Sequence, residues 1–267
     1  MSLVVPLQPS CVETWRKAVA FVDKQPGHKS HNVVLTIEAP TTGAQLGDKR
    51  VAVVEDFLGS HGKSLRTIAN TIFPQSLYQR YGSPAFIDAF HKRVLPSVRR
   101  NKKWSGYYFE RMTHWPGAPL NNPLLDIVTR MGDSRVRSNN KFELALFDPA
   151  RDSSRAPYGG QCLSFLSFKL LEGTPKKVSL TAFYRNHYYI EKLLGNLIGL
   201  GQLMAFVASE TGLAVGPLTI ISSHATIDLP RVKGCSSTRA DLSSLLEKYD
   251  QVELAMANEN STNTTAA

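Results

Sequence analysis

Cysteine is the first shortage: three in 267 residues, Cys11, Cys162 and Cys235. So widely spaced, they make neither a disulfide framework nor the paired ligands of a zinc site. That implies no metal and, by default, a reducing cytoplasmic setting. Acidic residues are the second shortage. Against 31 Lys and Arg stand 22 Asp and Glu, a formal net charge of +9, and this balance favours an anionic partner: a nucleotide, a nucleic acid or phosphate. Long apolar runs are missing too. None reads as bilayer-spanning, and no basic-then-apolar leader opens the chain, so neither a membrane partner nor secretion is expected. The Asn-x-Ser/Thr triplets at Asn260 and Asn263 then read as chance in a polar tail. There is no internal repeat.

The positive charge gathers in two places. One is His91–Lys103, with Lys92, Arg93, Arg99, Arg100, Lys102 and Lys103; the other is Arg130–Lys141, with Arg135, Arg137 and Lys141. No RNA-recognition or zinc-finger signature accompanies them, and solvated faces are the simpler reading. Gly59-Ser60-His61-Gly62-Lys63-Ser64 has the look of a phosphate loop between a strand and a helix. The first glycine of G-x-x-x-x-G-K-[ST] would fall at Phe57, however, and an ordinary loop with an N-cap accounts for the segment.

His31–Glu38 and Arg50–Asp56 are valine-rich and read as strands. Ser64–Phe73 reads as a helix ended by Pro74, Pro84–Arg99 as an amphipathic helix interrupted near Pro96, and Pro123–Met131 as another helix. Phe142–Phe147, Leu163–Leu171 and Val178–Tyr184 read as strands, the last two joined by a turn at Gly173-Thr174-Pro175. From about Tyr189 to Thr211 the pattern is helical and apolar nearly all round, so this helix is expected at the centre, closed by Gly212. Leu218–Leu229 reads as a strand. Thr238 and Asp241 frame the start of a last helix running from Arg239 to about Met256. The mixture predicts an α+β class: one large mixed sheet packed on a central buried helix. Residues 1–257 would form a single domain and residues 258–267 a disordered tail.

Cys162 carries the chemical interest. It follows Gly159-Gly160 and opens a strand. A free cysteine often packs as a small hydrophobe, but a glycine turn brings a side chain to a strand end, and Arg155 and Arg185 would favour its thiolate. Arg185 ends the next strand, where a guanidinium serves either as a phosphate fork or as a surface charge; Asn186 would add an amide donor. Asn196 lies inside the apolar helix and needs a partner. It either caps a backbone group or reads a ligand edge such as the O4/N3 edge of uracil, since an amide both donates and accepts. His224, late in the last strand, is as readily a core histidine as a ligand contact.

The order Cys162, Arg185, Asn196, His224 resembles the core of the thymidylate synthase superfamily, most strongly over Leu120–Asp228. Phe147-Asp148-Pro149 takes the place of the family's Trp-Asn-Pro, Gly159-Gly160-Gln161-Cys162 that of Pro-Pro-Cys-His, Tyr184-Arg185-Asn186 that of Gln-Arg-Ser, and Leu194-Gly195-Asn196 that of Pro-Phe-Asn. Tyr107-Tyr108-Phe109-Glu110-Arg111 is similar to Tyr-Gly-x-x-Trp-Arg. The resemblance implies a thymidylate-synthase-like fold and a homodimer joined through the large sheet. It further implies thiolate attack on C6 of a pyrimidine nucleotide, with methylenetetrahydrofolate as cofactor. Arg185 would bind the phosphate, Asn186, Asn196, His224 and Tyr108 would contact the substrate, and Lys141 would arrive from the second subunit.

Departures accompany the likeness. The position of the family's proton-relaying glutamate is Asn70 or Thr71, neither of which is a carboxylic acid; Glu110 is the candidate substitute. The double arginine becomes Asn140-Lys141, the aspartate near the folate becomes Tyr188, and His224 takes the histidine position only with a short gap. The family's C-terminal tail has no evident match. Three readings stay open: a divergent transferase adding a methyl or hydroxymethyl group at C5 of a pyrimidine nucleotide; a non-catalytic member that binds a nucleotide or acts as an assembly partner; and, least favoured, a nucleic-acid-binding protein.

Overall fold

A computed structural model describes residues 2–45, 47–99, 107–115, 122–136, 138–153, 160–232 and 235–265. Arg100, Lys102, Lys103, Leu120, Arg137, Arg155 and Gly159, named above, lie outside these. In chain order the elements are β1 (Leu3–Val4), α1 (Cys11–Asp23), β2 (Lys29–Ile37), α2 (Lys49–Ser60), α3 (Leu65–Ile72), α4 (Gln75–Tyr81), α5 (Ala85–Ala89), a π-helical turn (Phe90–Val94) and α6 (Leu95–Arg99). There follow α7 (Tyr108–Thr113), α8 (Pro123–Gly132), β3 (Glu143–Ala145), α9 (Pro149–Asp152), β4 (Leu163–Leu171), β5 (Lys177–Tyr184) and β6 (His187–Tyr188). The chain closes with α10 (Leu193–Thr211), β7 (Ala214–Thr226), β8 (Arg231–Val232), β9 (Cys235–Ser236) and α11 (Arg239–Thr265).

The fold is a mixed α+β arrangement around a seven-stranded sheet in the order β1-β2-β7-β5-β4-β3, with β6 paired to β7. β7 lies parallel to β5 and antiparallel to β2, because α10 carries the chain from β5 back to the same end of the sheet. Alternation along the strands sends Val33, Leu35 and Ile37 of β2, Leu218 and Ile220 of β7, Leu180 and Ala182 of β5, and Leu166 and Phe168 of β4 to the inner face, where all are buried. α1 and α10 lie among this core, and Trp15 Nε1 donates to Tyr189 O at 2.9 Å, fixing α1 to the turn ahead of α10. On the outer face Phe165, Phe183, Ile221, Val34 and Val4 stand in register across five strands. Among the described residues no element covers that row, and Phe165 and Phe183 are 39% and 36% exposed.

Several sequence expectations need correction. Arg50–Asp56 is not a strand but the interior of α2. Asp48 caps that helix, accepting from Arg50 N at 2.8 Å, and Val51, Val54 and Leu58 fall on one buried face. Helical spacing against α11 outweighs the β preference of valine. The glycine-lysine segment therefore joins two helices, with Ser64 as the N-cap of α3. The interruption expected near Pro96 does occur, as a π-turn just before it with Leu95 N–H reaching Phe90 O, and such a turn makes room for a ring without an N–H. The strand at 142–147 shortens to β3, and Tyr189 belongs to the turn before α10. α11 continues to Thr265, so helical backbone replaces the expected disorder from Asn258 to Thr265. α10 is also long and apolar enough, by composition alone, to cross a membrane, contrary to the sequence reading; 78% of that stretch is buried within the protein.

Candidate functional site

Cys162 stands where β4 meets the end of β5. The register shifts between Leu163 and Phe165, a bulge that bends the strand end, and Arg185 N–H donates to Cys162 O at 2.9 Å. Thiol and arginine are therefore neighbours across one strand pair. The turn ahead has Gly160 at φ +73°, and a Cβ there would lie 3.1 Å from Arg185 Nη2. Glycine alone takes both the left-handed backbone and the close approach. Arg185 Nε donates to Gln161 O at 2.8 Å, so the guanidinium buttresses the loop that bears the thiol.

A cavity of about 210 Å³ opens beside Cys162, lined by Tyr108, Asn186, Tyr188, Lys192 and Asn196 and by Thr71 of α3. Burial pushes the Cys162 thiol up, while the charges of Arg185 and Lys192 pull it down less strongly. Lys192 is itself held by Glu191 at 2.8 Å, and Glu191 by Lys63 at 3.2 Å. Cys11, by contrast, is fully buried and donates to Pro40 O at 3.0 Å; burial alone carries it far above the usual thiol range. Of these two thiols only Cys162 has a cationic neighbourhood and a cavity.

Asn196 enters from the first turn of α10. Its Nδ2 donates to His187 Nε2 at 2.9 Å, leaving the second amide hydrogen and Oδ1 for the cavity. His187 is fully buried, and desolvation pushes its pKa down to about 3, so the ring is neutral. With Nε2 accepting, Nδ1 carries the proton and donates to Ser222 Oγ at 3.1 Å. Tyr184 stacks on the same ring at 4.0 Å and 11°. Its hydroxyl is buried with no hydrogen-bond partner, an uncommon state for a native core. Sequence reasoning missed His187 and Lys192. The signal for His187 was a histidine directly after Arg185-Asn186 in an otherwise apolar stretch.

The remaining candidates separate. Tyr108 comes into the cavity: its hydroxyl accepts from Leu163 N–H at 3.4 Å. Burial, and then the neighbouring Cys162 thiolate, push it far above the usual phenol range, so it keeps its proton beside the sulfur. Asn186 lines the cavity, and its Oδ1 accepts from His224 Nδ1 at 2.7 Å. His224 is thus one residue removed from the cavity, packed on His31 with ring centroids 5.2 Å apart. Glu110 is absent from the lining. Its buried carboxylate takes Arg99 as partner, because α7 turns it away from β4 while Tyr108, two residues earlier, points at the strand. Lys141 is exposed just ahead of β3 and does not line the cavity either. The basic clusters are largely paired among the described residues: Lys92 with Asp88, Arg99 with Glu110, Arg130 with Asp126, and Arg135 with Asp133.

A free thiol, a retained phenol proton, an amide presenting a donor and an acceptor, and two nearby cations can together bind an anionic heterocycle and add sulfur to it. No protein-family model matches this chain, and no curated protein matches it.

Proposed function

We propose that this chain is a divergent thymidylate-synthase-like transferase, with that fold, acting at C5 of a pyrimidine nucleotide. The observation that carries the reading is the convergence of Cys162, Tyr108 and Asn196 on one cavity, with Arg185 locked to the loop of the thiol. The Cys162 thiol gives its proton to solvent as Sγ bonds to C6, and the C5–C6 π pair moves toward O4 as an enolate that Asn196 Nδ2 stabilises. C5 then takes a proton from solvent. Loss of the original C5 hydrogen to solvent as a proton, and expulsion of sulfur as thiolate, restore the ring. Tyr108, not Glu110, is the acid within reach of this chemistry. Methylenetetrahydrofolate does not fit the described lining. A cavity of about 210 Å³ holds a pyrimidine ring but no pterin beside it, and no carboxylate lines it to pair with an aminopyrimidine edge. The reaction derived from these residues is therefore exchange of the C5 hydrogen. A second copy of the chain, docked on the outer sheet row of Phe165 and Phe183, would complete the assembly and bring Lys141 toward the phosphate.

Exchange of the C5 hydrogen with solvent tests the reading without any one-carbon donor. Tritiated dUMP, dCMP, UMP or CMP should release label with at least one nucleotide, and Cys162→Ser should lower that rate by at least about a hundredfold, since the intermediate is covalent. One observation favours a non-catalytic nucleotide-binding member instead: burial dominates the Cys162 thiol and holds it protonated. Measurable binding with no exchange from any of the four nucleotides would establish that alternative.

A further inference from the structure

A second cavity lies on the other side of α3. At about 430 Å³ it is twice as roomy as the first, and α3, the start of α4, the middle of α10 and the loop after β2 wall it. Its shape depends on one bare position. A Cβ on Gly201 would stand 2.2 Å from Pro40 O, so only glycine lets that loop lie against α10 and bring Thr41 and Gln45 to the rim.

The lining is chemically uniform. Carboxamides of Gln45, Asn70, Gln75, Gln79 and Gln202 surround an aliphatic floor formed by residues such as Ile198. Arg66 supplies the charge, with no carboxylate and no aromatic ring beside it in the lining. Its guanidinium reaches Ser76 Oγ at 3.3 Å. Gln202 adds an independent sign. Its Oε1 is buried and has no hydrogen-bond partner, a state native proteins avoid. The last torsion of a glutamine is soft enough to turn that oxygen toward a donor in the cavity.

We propose that this cavity binds a nucleoside monophosphate at a site separate from the Cys162 cavity. One arginine suits a single phosphate better than a di- or triphosphate. Amides that donate and accept in pairs suit the edge of a base, whose N–H would satisfy Gln202 Oε1. The aliphatic floor suits the face of a ring, and the volume lies within the range of small-molecule sites. This goes beyond the reading of Cys162 and does not depend on it.

Calorimetric titration of the full chain with AMP, GMP, CMP and UMP tests the proposal. At least one should bind with an affinity that falls about tenfold or more in Arg66→Ala and also falls in Gln202→Leu, while Cys162→Ala leaves it unchanged. The matching nucleoside should bind with no sensitivity to Arg66→Ala. Arg66 is exposed, so its loss should leave the fold intact; Arg66→Gln serves if circular dichroism shows otherwise. Binding of none of the four would overturn the proposal. So would binding indifferent to both Arg66→Ala and Gln202→Leu, which would return the nucleotide to the Cys162 cavity and leave that site's reading untouched.

Discussion

Arg185 has two tasks that a measurement can separate. It props the Cys162 loop through Gln161 O, and under the proposed function, although outside the cavity lining, it would also meet the substrate phosphate. Arg185→Ala should weaken nucleotide binding by about 1.5–3 kcal/mol, roughly ten- to a hundredfold, and nucleoside binding far less. Equal losses in titrations of both would assign Arg185 to loop support alone. Asn196 offers a sharper test. Asn196 lines the cavity, and in the proposed function its Oδ1 would accept from N3–H of uracil, so Asn196→Asp should move preference toward cytosine nucleotides. His187 can follow by exchanging tautomers, accepting from Ser222 and donating to the new carboxylate. Unchanged relative affinities for dUMP and dCMP would make Asn196 a structural partner of His187. At this scale the thiol, the arginine and the helical amide were legible because each is a polar residue in an apolar setting. Lys192 was not, because nothing in its own neighbourhood told which way a side chain just ahead of α10 would face, and His187 was marked only by its place directly after Arg185-Asn186.

Elements were legible where one signal dominated and not where two competed. Gly212 closes α10 in the left-handed region at φ +69°, and Thr238 with Asp241 caps α11 through reciprocal bonds of 2.7–3.2 Å. The run Val51-Ala52-Val53-Val54 carried strand composition on helical spacing, and the spacing prevailed because α11 packs against that face. α1 carried Ser10 as an N-cap and Val12, Trp15, Val19 and Val22 on one buried face, a pattern present in the sequence and left unread. The turn before α10 has its own pH signature. Asp228 accepts from Ile190 N at 2.9 Å, yet burial, with a lesser push from Glu191, raises its carboxyl to about 6. A raised folded value means its stabilising contribution is complete below pH of about 4 and is lost as pH rises through about 6. The loss is on the order of 3 kcal/mol at most. Asp228→Asn keeps an acceptor and removes the titration. Urea denaturation should therefore find the variant favoured over wild type more at pH 7.5 than at pH 5. A difference independent of pH would show that Asp228 titrates normally.

At the scale of the whole molecule, the described residues leave one face of the sheet uncovered, and the row of Phe165, Phe183 and Ile221 across it is wider than scattered surface apolar residues would give. If a second copy covers it, Phe183→Asp should convert a dimer to a monomer in sedimentation equilibrium while the far-UV circular dichroism is kept. A wild-type chain that sediments as a monomer would leave that face without a self-partner. This row was not legible beforehand, because it exists only once β4, β5, β7, β2 and β1 are in register.

That register also dictates when the protein can be finished. Lys29 pairs with Thr226 and Ile37 with Leu218, so β2 has no neighbour on that side until the ribosome has passed the end of β7. Arg16 of α1 likewise waits for Asp250 of α11. Pairings this distant in sequence are slow to close. The N-terminal third of each nascent chain is thus held incomplete through most of synthesis, with an open β-edge exposed to other nascent chains and to chaperones.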